Sequence, residues 1–171
     1  MTKPHALLRA GFPYYATLGM RRVTTSPADI VACDGGDIFV LNRIDGEGGE
    51  IRRTNWEDED NGVIGSGFIW PVQMVEGPSD TLIVSDEGNH TISFWTQDGE
   101  KTDSWGDYGS GHGELNRPSG IVFDAEGNLI VADTMNHRIQ KFSVGGTYIS
   151  GFGEYGNGYG QFNMPWGVGV D

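Results

Sequence analysis

Four prolines divide the sequence into units of nearly constant length. They are separated by 44, 47 and 47 residues and stand at Pro27, Pro71, Pro118 and Pro165. At a fixed distance after the first three, an apolar segment ending in Asn or Asp returns, in residues 37–42, 81–86 and 128–133. Repeats of 40–50 residues are typical of architectures in which each unit buries its apolar face against a neighbour. This register constrains the fold more than any other feature of the chain.

Each unit contains four short segments of β character. In the third unit they are residues 120–124, 129–132, 138–142 and 148–152, and glycine-containing turns join them. A helical repeat would need apolar residues at three- and four-residue spacing over a dozen positions, and no segment provides them. A β-sandwich would not explain the strict register. We therefore predict an all-β protein, a β-propeller of four-stranded antiparallel blades.

The register also predicts how the chain is divided. Residues 1–22 form an N-terminal segment with the outermost strand of a preceding blade, and residues 163–171 form the innermost strand of a truncated fourth blade. The three blades between them are residues 23–67, 68–115 and 116–162. The first blade is degenerate because residues 43–50 interrupt its repeat. Propellers close with about four to eight blades, so we expect an incomplete arc of about three and a half blades from a six-bladed ring, and a chain that is a fragment of a longer protein.

The third unit resembles the NHL repeat. The resemblance rests on Asn-Arg-Pro-Ser-Gly-Ile-Val (116–122), Asn-Leu-Ile-Val-Ala-Asp (128–133) and Asn-His-Arg-Ile (136–139). The second unit matches with Thr91 in place of the usual arginine, and WD repeats match less well because no Trp-Asp dipeptide recurs. The resemblance covers residues 23–171. It implies a propeller that serves as a ligand- or protein-binding scaffold, a sensor, an RNA-binding domain or, in a minority of members, an enzyme such as an amidating lyase.

Charge and composition narrow the partners. The net charge is −13, from 24 acidic and 11 basic residues, which disfavours nucleic acid and anionic membranes as partners. The single cysteine, Cys33, excludes an internal disulfide framework and is expected to be a buried thiol. Neither a signal peptide nor an apolar run long enough to span a bilayer is visible. The default expectation is a cytoplasmic protein, although an incomplete N-terminus would leave the location unknown.

Polar residues that recur in each well-formed unit are expected to serve the scaffold. Asp and Asn side chains accept hydrogen bonds from nearby backbone amides and stabilise turns. The arginine of the third unit is expected to pair with a neighbouring carboxylate. The residues assigned to this structural role are Asp86, Asn89, Asp133, Asn136 and Arg138.

Residues that differ between units are better candidates for binding. Asp29 and Gln73 stand two positions after a proline, where later units have glycine, and Trp70 and Trp166 flank prolines. The insertion is expected to project on the same face as the turns carrying the two repeat histidines. The candidates for contact with a ligand or partner are Asp29, Arg43, Asp45, Glu47, Trp70, Gln73, His90, Arg117, His137 and Trp166.

No cofactor is evident from these residues. Zinc would need histidines converging from different blades, and calcium at Asp45, Glu47 and Glu50 lacks the spacing of an EF-hand loop. No Ser–His–Asp set, phosphate-binding loop or catalytic carboxylate pair emerges.

The sequence therefore favours a non-catalytic scaffold that binds a protein or small molecule on its loop face. The open blade faces at the two ends of the arc could also self-associate. The alternative is a metal-dependent lyase or lactonase-like hydrolase whose axial site is completed by blades outside this sequence.

Overall fold

A computed structural model describes residues 26–44, 46, 48–57 and 59–171. Three four-stranded antiparallel sheets follow one another, each with its strands in chain order. The first contains β1 (Pro27–Ala32), β2 (Asp37–Ile44), β3 (Gly48–Asn55) and β4 (Asp60–Phe68). The second contains β5 (Pro71–Gly77), β6 (Thr81–Asp86), β7 (Thr91–Thr96) and β8 (Lys101–Trp105). The third contains β9 (Pro118–Phe123), β10 (Leu129–Asp133), β11 (Arg138–Phe142) and β12 (Tyr148–Phe152).

Short elements complete the described part of the chain. A parallel pair, β13 (Glu154–Tyr155) and β14 (Gln161–Phe162), follows the third sheet, and two single 3-10 turns cover Pro78–Asp80 and Thr134–Asn136. Strands β1, β5 and β9 pack side by side, so the first strand of each sheet lies innermost. The predicted all-β fold of four-stranded antiparallel blades, forming part of a β-propeller, is confirmed.

Two apolar layers hold the three blades together. The layer between the first and second blades contains Phe39, Leu41, Ile51, Leu82 and Val84, all buried. The layer between the second and third contains Ile83, Ile92, Ile121, Leu129 and Phe142. Neighbouring residues of β6 thus enter opposite layers, which explains why this central strand is apolar at consecutive positions. Burial of one such side chain contributes about 1.5–3 kcal/mol.

Each repeat proline begins its blade beside a residue at or near the end of the second strand. Pro27 pairs with Asn42, Pro71 with Asp86 and Pro118 with Asp133, and the register shifts next to each pair. Proline cannot donate a ladder hydrogen bond, and the first residue of a strand beside a bulge tolerates this. We call this end of the arc the turn face. It carries the turns between second and third strands and the connections between blades.

The insertion in the first unit lengthens a hairpin. Arg43 pairs with Gly49 and Ile44 with Gly48, so residues 43–50 extend β2 and β3 toward the turn face. Gly48 has φ +94°, and a side chain on it would overlap the carbonyl of Phe68. Glycine is therefore required at this close approach. Asp45 and Glu47 lie outside the described residues.

The structure describes only one of the two segments predicted to flank the three blades. The segment expected to precede the first blade, residues 1–22, lies outside the described residues. Residues 163–171, expected to be an innermost strand, contain no strand. The physical reason is that a strand needs a ladder of backbone hydrogen bonds, and this segment receives one backbone bond from β9, from Gly120 N to Trp166 O at 2.9 Å, beside a side-chain bond from Ser119 Oγ to the same oxygen. Within the described part of the chain, no helix has the length and apolar character needed to cross a bilayer.

Candidate functional site

Asp86 joins the end of β6 to the chain that enters the same blade. Its buried carboxylate accepts hydrogen bonds from the backbone N–H groups of Ile69 and Trp70, both at 2.8 Å, and of Gly88 at 2.9 Å. The side chain of Asn89 adds a bond of 2.7 Å. Asp86 and Asn89 are thus committed to the turn and to the blade entry.

Asp133 has the same place in the third blade with different partners. It accepts from Asn116 N at 2.7 Å, Asn136 Nδ2 at 2.9 Å, Gln140 Nε2 at 3.0 Å and Arg138 Nε at 2.7 Å. Arg138 also donates to three carbonyl oxygens of the preceding inter-blade connection, those of Ser110, Gly111 and Glu114, at 2.7–2.9 Å. One buried ion pair therefore fixes that connection to the blade.

The two repeat histidines link consecutive blades. His90 Nδ1 accepts from Arg117 N and His137 Nδ1 accepts from Met164 N, both at 3.0 Å. All four residues have φ between +51° and +60°, and each donor precedes the proline that follows it. The imidazole rings also pack on tyrosines, with centroids 4.7 Å apart for His90 and Tyr108 and 4.9 Å for His137 and Tyr155. Since both Nδ1 atoms accept these bonds, the rings carry no proton there.

Blade-specific residues two positions after the prolines link the innermost strands. Asp29 Oδ2 accepts from Met74 N at 2.9 Å, and Gln73 Oε1 accepts from Ile121 N at 2.7 Å. The third unit has Gly120, whose N–H donates directly to Trp166 O. Asp29, Gln73, Gly120 and Trp166 together line a cavity of about 210 Å³ between the innermost strands. The acceptors of Asp29 and Gln73 are therefore already engaged in the scaffold.

A second set of blade-specific residues lies on the turn face, where each second strand meets the entry of the next blade. Arg43 lies over the ring of Trp70, with its guanidinium carbon 4.7 Å from the centroid, and donates to Pro71 O at 2.8 Å. At the next junction Glu87 and Arg117 form an ion pair. At the third, Thr134 Oγ1 donates to Pro165 O at 2.9 Å. The same position thus carries a cation–π contact, an ion pair and a neutral hydrogen bond in turn.

The junction of Glu87 and Arg117 opens into a cavity of about 270 Å³, which we call the Glu87 cleft. Its other lining residues are Thr134, Met135, Asn163, Met164 and Trp166. Glu87 Oε2 accepts from Arg117 Nε at 3.0 Å and Nη2 at 2.7 Å. Within the described ranges, Glu87 Oε1 has no hydrogen-bond partner although the Glu87 side chain is only 1% exposed. A buried carboxylate oxygen that accepts no hydrogen bond is energetically unfavourable in a folded protein.

Sequence reasoning missed Glu87. The position 16 residues after each repeat proline reads Arg43, Glu87 and Thr134 in the three units, and this variation was a usable signal. The candidates Arg117 and Trp166 do line the cleft, whereas Arg43 and Trp70 form the neighbouring junction, where Trp70 lines a separate cavity. The histidines and the axial residues Asp29 and Gln73 are not among its lining residues.

Other reactive groups lie away from the cleft. Burial, together with a hydrogen bond to Glu76, raises the pKa of Cys33 to about 12, so its thiol is unreactive at neutral pH. No group of three or more His, Cys, Asp or Glu side chains with metal-binding geometry occurs in the portion of the chain that the structure describes.

The sequence signature of the NHL repeat matches residues 115–142, which span the entry of the third blade and β9, β10 and β11. The chain carries an NHL repeat. This confirms the resemblance drawn from residues 116–139. Comparison with curated protein sequences gives no match.

Solved structures share the fold at low sequence identity. A virginiamycin B lyase from Staphylococcus aureus with quinupristin has a TM-score of 0.62 and 14% identity over 84% of this chain and 45% of that one. A chain of a nidogen–laminin complex has a TM-score of 0.63 and 14% identity, covering 85% and 52%. A protein from Lactobacillus plantarum has a TM-score of 0.61 and 15% identity, covering 80% and 44%. The chain therefore spans about half the length of these structures, and they share its fold alone.

Proposed function

We propose that this chain is a non-catalytic binding scaffold whose ligand enters the Glu87 cleft on the turn face. The unpartnered Oε1 of the buried Glu87 carboxylate carries the proposal. The repeat carboxylates and histidines of the turn face have partners: Asp86 and Asp133 accept backbone and side-chain hydrogen bonds, and both histidine Nδ1 atoms accept backbone N–H groups. Asn42 Oδ1 is also buried without a partner among the described residues, but it belongs to a neutral amide and does not line the cleft. The cleft is thus where the scaffold leaves a strong acceptor for an outside molecule.

The cleft is better suited to holding a molecule than to converting one. Proton transfer needs an acid or base within hydrogen-bond reach of the reacting group. Of the residues that line the cleft, Glu87 and Arg117 are the ionisable ones, and they are bonded to each other, so the cleft holds no second acid or base that could relay a proton. The shape and polarity of the cleft, with a buried acceptor surrounded by Met135, Met164 and Trp166, match a binding pocket. Of the three neighbours named above, one, a lyase, was solved with a small molecule and another within a protein complex, a range that is compatible with a binding scaffold and with the alternative enzyme.

A fragment screen followed by NMR tests the proposal on the whole chain. We expect compounds from a general library to shift the backbone amide signals of Arg117, Met135 and Met164, and Glu87→Gln to weaken this binding. Glu57→Gln, an exposed glutamate in the first blade, is the matched control and should leave it unchanged. Compounds that bind outside the cleft, or that bind Glu87→Gln as tightly as Glu57→Gln, would contradict the proposal. Conversion of a bound compound into a product would instead support the alternative, a lyase or hydrolase.

A further inference from the structure

We infer that the Glu87 cleft recognises an amide group, one that presents an N–H donor and a carbonyl acceptor together beside an apolar substituent. This inference rests on the proposed function of the same cleft and specifies its ligand class.

The donor requirement comes from Glu87. Its carboxylate is almost completely buried, and both hydrogen bonds from Arg117 reach the same oxygen, Oε2. Oε1 therefore retains its full capacity to accept. That atom has less than 1 Å² of exposed surface, so a ligand N–H reaches it only when a neighbouring side chain of the cleft moves aside, and it then gains a bond to a charged acceptor that bulk water does not already supply.

The acceptor requirement comes from Arg117. A guanidinium has five N–H donors, and two of them are used on Glu87. The Arg117 side chain is half exposed and lines the cleft, so donors beyond those two remain available to a ligand there. Since donor and acceptor capacities lie side by side, the complementary group presents both on one edge, as a primary amide or a cis lactam amide does.

The charge of the pair excludes the simpler ligands. Glu87 and Arg117 together are formally neutral. A cation on Oε1 would lie close to the guanidinium, and an anion on Arg117 would lie close to the carboxylate, so each would meet a like charge at short range. A neutral amide meets neither repulsion.

The walls select an apolar substituent. Met135, Met164 and Trp166 line the cleft and are 38%, 50% and 53% exposed, an unusual concentration of open apolar surface around one buried carboxylate. Methionine side chains adapt to varied shapes. The backbone behind them is fixed, because Met164 N donates to His137 Nδ1 and Pro165 O accepts from Thr134 Oγ1. The volume of about 270 Å³ fits one small aromatic or aliphatic group.

A matched series of small aromatic compounds tests the inference by NMR titration of the whole chain. The probes are benzamide, N,N-dimethylbenzamide, benzoate and benzylammonium. We expect benzamide to shift the amide signals of Arg117, Met135 and Met164. The dimethyl analogue has no N–H and should bind about tenfold more weakly or worse, the factor for one hydrogen bond of about 1.4 kcal/mol. Benzoate and benzylammonium should also be weaker than benzamide.

Variants of the protein test the same hydrogen bond by changing its acceptor instead of the ligand donor. Glu87→Gln places an amide where the acceptor was, and should weaken benzamide about tenfold while Glu57→Gln leaves it unchanged. Should Glu87→Gln fail to fold, the dimethyl analogue still removes the same hydrogen bond from the unaltered protein. A capped dipeptide amide in the titration separates a peptide source of the amide from a small-molecule source.

Three results would overturn the inference. Benzylammonium binding more tightly than benzamide would make the cleft a cation site. Equal binding of benzamide and its dimethyl analogue would show that Glu87 accepts no hydrogen bond from the ligand. Absence of binding by the whole series would mean that an amide is the wrong class, and ordered water would then satisfy Oε1. If the general library still bound at the cleft in these cases, the proposed function would stand while this inference fell.

Discussion

Replacement of Arg138 by threonine, the residue that the second blade has at the equivalent position 91, should strongly destabilise the third blade. Its carboxylate partner Asp133 is fully buried, the Arg138 side chain is 16% exposed, and the Nε–Oδ2 distance is 2.7 Å. Removal of one partner from a buried ion pair costs about 3–5 kcal/mol. Because Asp133 keeps its bonds from Asn116, Asn136 and Gln140, we expect the lower end, about 3 kcal/mol. For a chain of this length that corresponds to a fall in Tm of about 6–12 °C.

The second blade tolerates threonine because its aspartate has other donors. Asp86 receives the backbone N–H groups of both Ile69 and Trp70, whereas Asp133 receives that of Asn116 alone from the corresponding entry. In the third blade Arg138 therefore donates to the aspartate in place of the second backbone N–H group that Asp86 receives in the second blade, and it adds a positive charge. This difference makes the predicted loss specific to the third blade.

Urea denaturation followed by circular dichroism measures the change in the free energy of unfolding. Lys141→Thr on the same strand is the matched control, because its ion pair with Asp124 is at the surface and should contribute much less. Hydrogen exchange should also accelerate in residues 106–117, which Arg138 holds through three carbonyls. If Arg138→Thr lost no more stability than Lys141→Thr, or if exchange in that connection did not change, the assigned role of Arg138 would be wrong.

Three further predictions concern single positions. Gly120→Ala should lower the free energy of unfolding, measured by urea denaturation, by about 1–3 kcal/mol, because the new Cβ would lie 2.7 Å from Trp166 O. Gly145→Ala is the control, since nothing lies within 4 Å of its Cβ, and equal losses for the two variants would contradict the close approach at Gly120. Cys33, with its pKa raised to about 12, should react with iodoacetamide at pH 8 far more slowly in the native protein than in urea, and equal rates would show that the thiol is accessible. The Lys141 ammonium and the Asn128 amides hold the pKa of Asp124 well below its usual range. The resulting stabilisation is present above about pH 4 and is lost as the pH falls through the lowered pKa. Below about pH 4 the Tm of Asp124→Asn should therefore depend less on pH than the Tm of the unaltered protein, and an unchanged dependence would refute this.

The sequence was sufficient for the features that depend on local pattern. The proline register and the recurring Asp residues predicted the blades because β-ladders, bulges and Asx turns form between residues close in the chain. The insertion was harder to place. Its extension of β2 and β3 depends on Gly48 and Gly49 approaching Phe68 and Pro71, and such tertiary contacts leave no periodic signal.

Glu87 could not be assigned from the sequence for a related reason. The position is variable, and variability alone does not distinguish a ligand group from a scaffold group. The deciding fact is that Arg117 places both of its hydrogen bonds on one carboxylate oxygen, and this depends on side-chain geometry across two blades.

Comparison of the axial residues with Glu87 gives a criterion for residues that vary between repeats. Asp29, Gln73 and Gly120 differ in type, yet each joins neighbouring innermost segments by a hydrogen bond, made by a carboxylate, an amide oxygen and a backbone N–H respectively. Variation is therefore compatible with one conserved contact. At the turn-face position the variation leaves a residue, Glu87, with a buried acceptor that the scaffold does not use. Because a buried unsatisfied group is unfavourable unless another molecule completes it, an unsatisfied variable residue points to binding more strongly than variation alone.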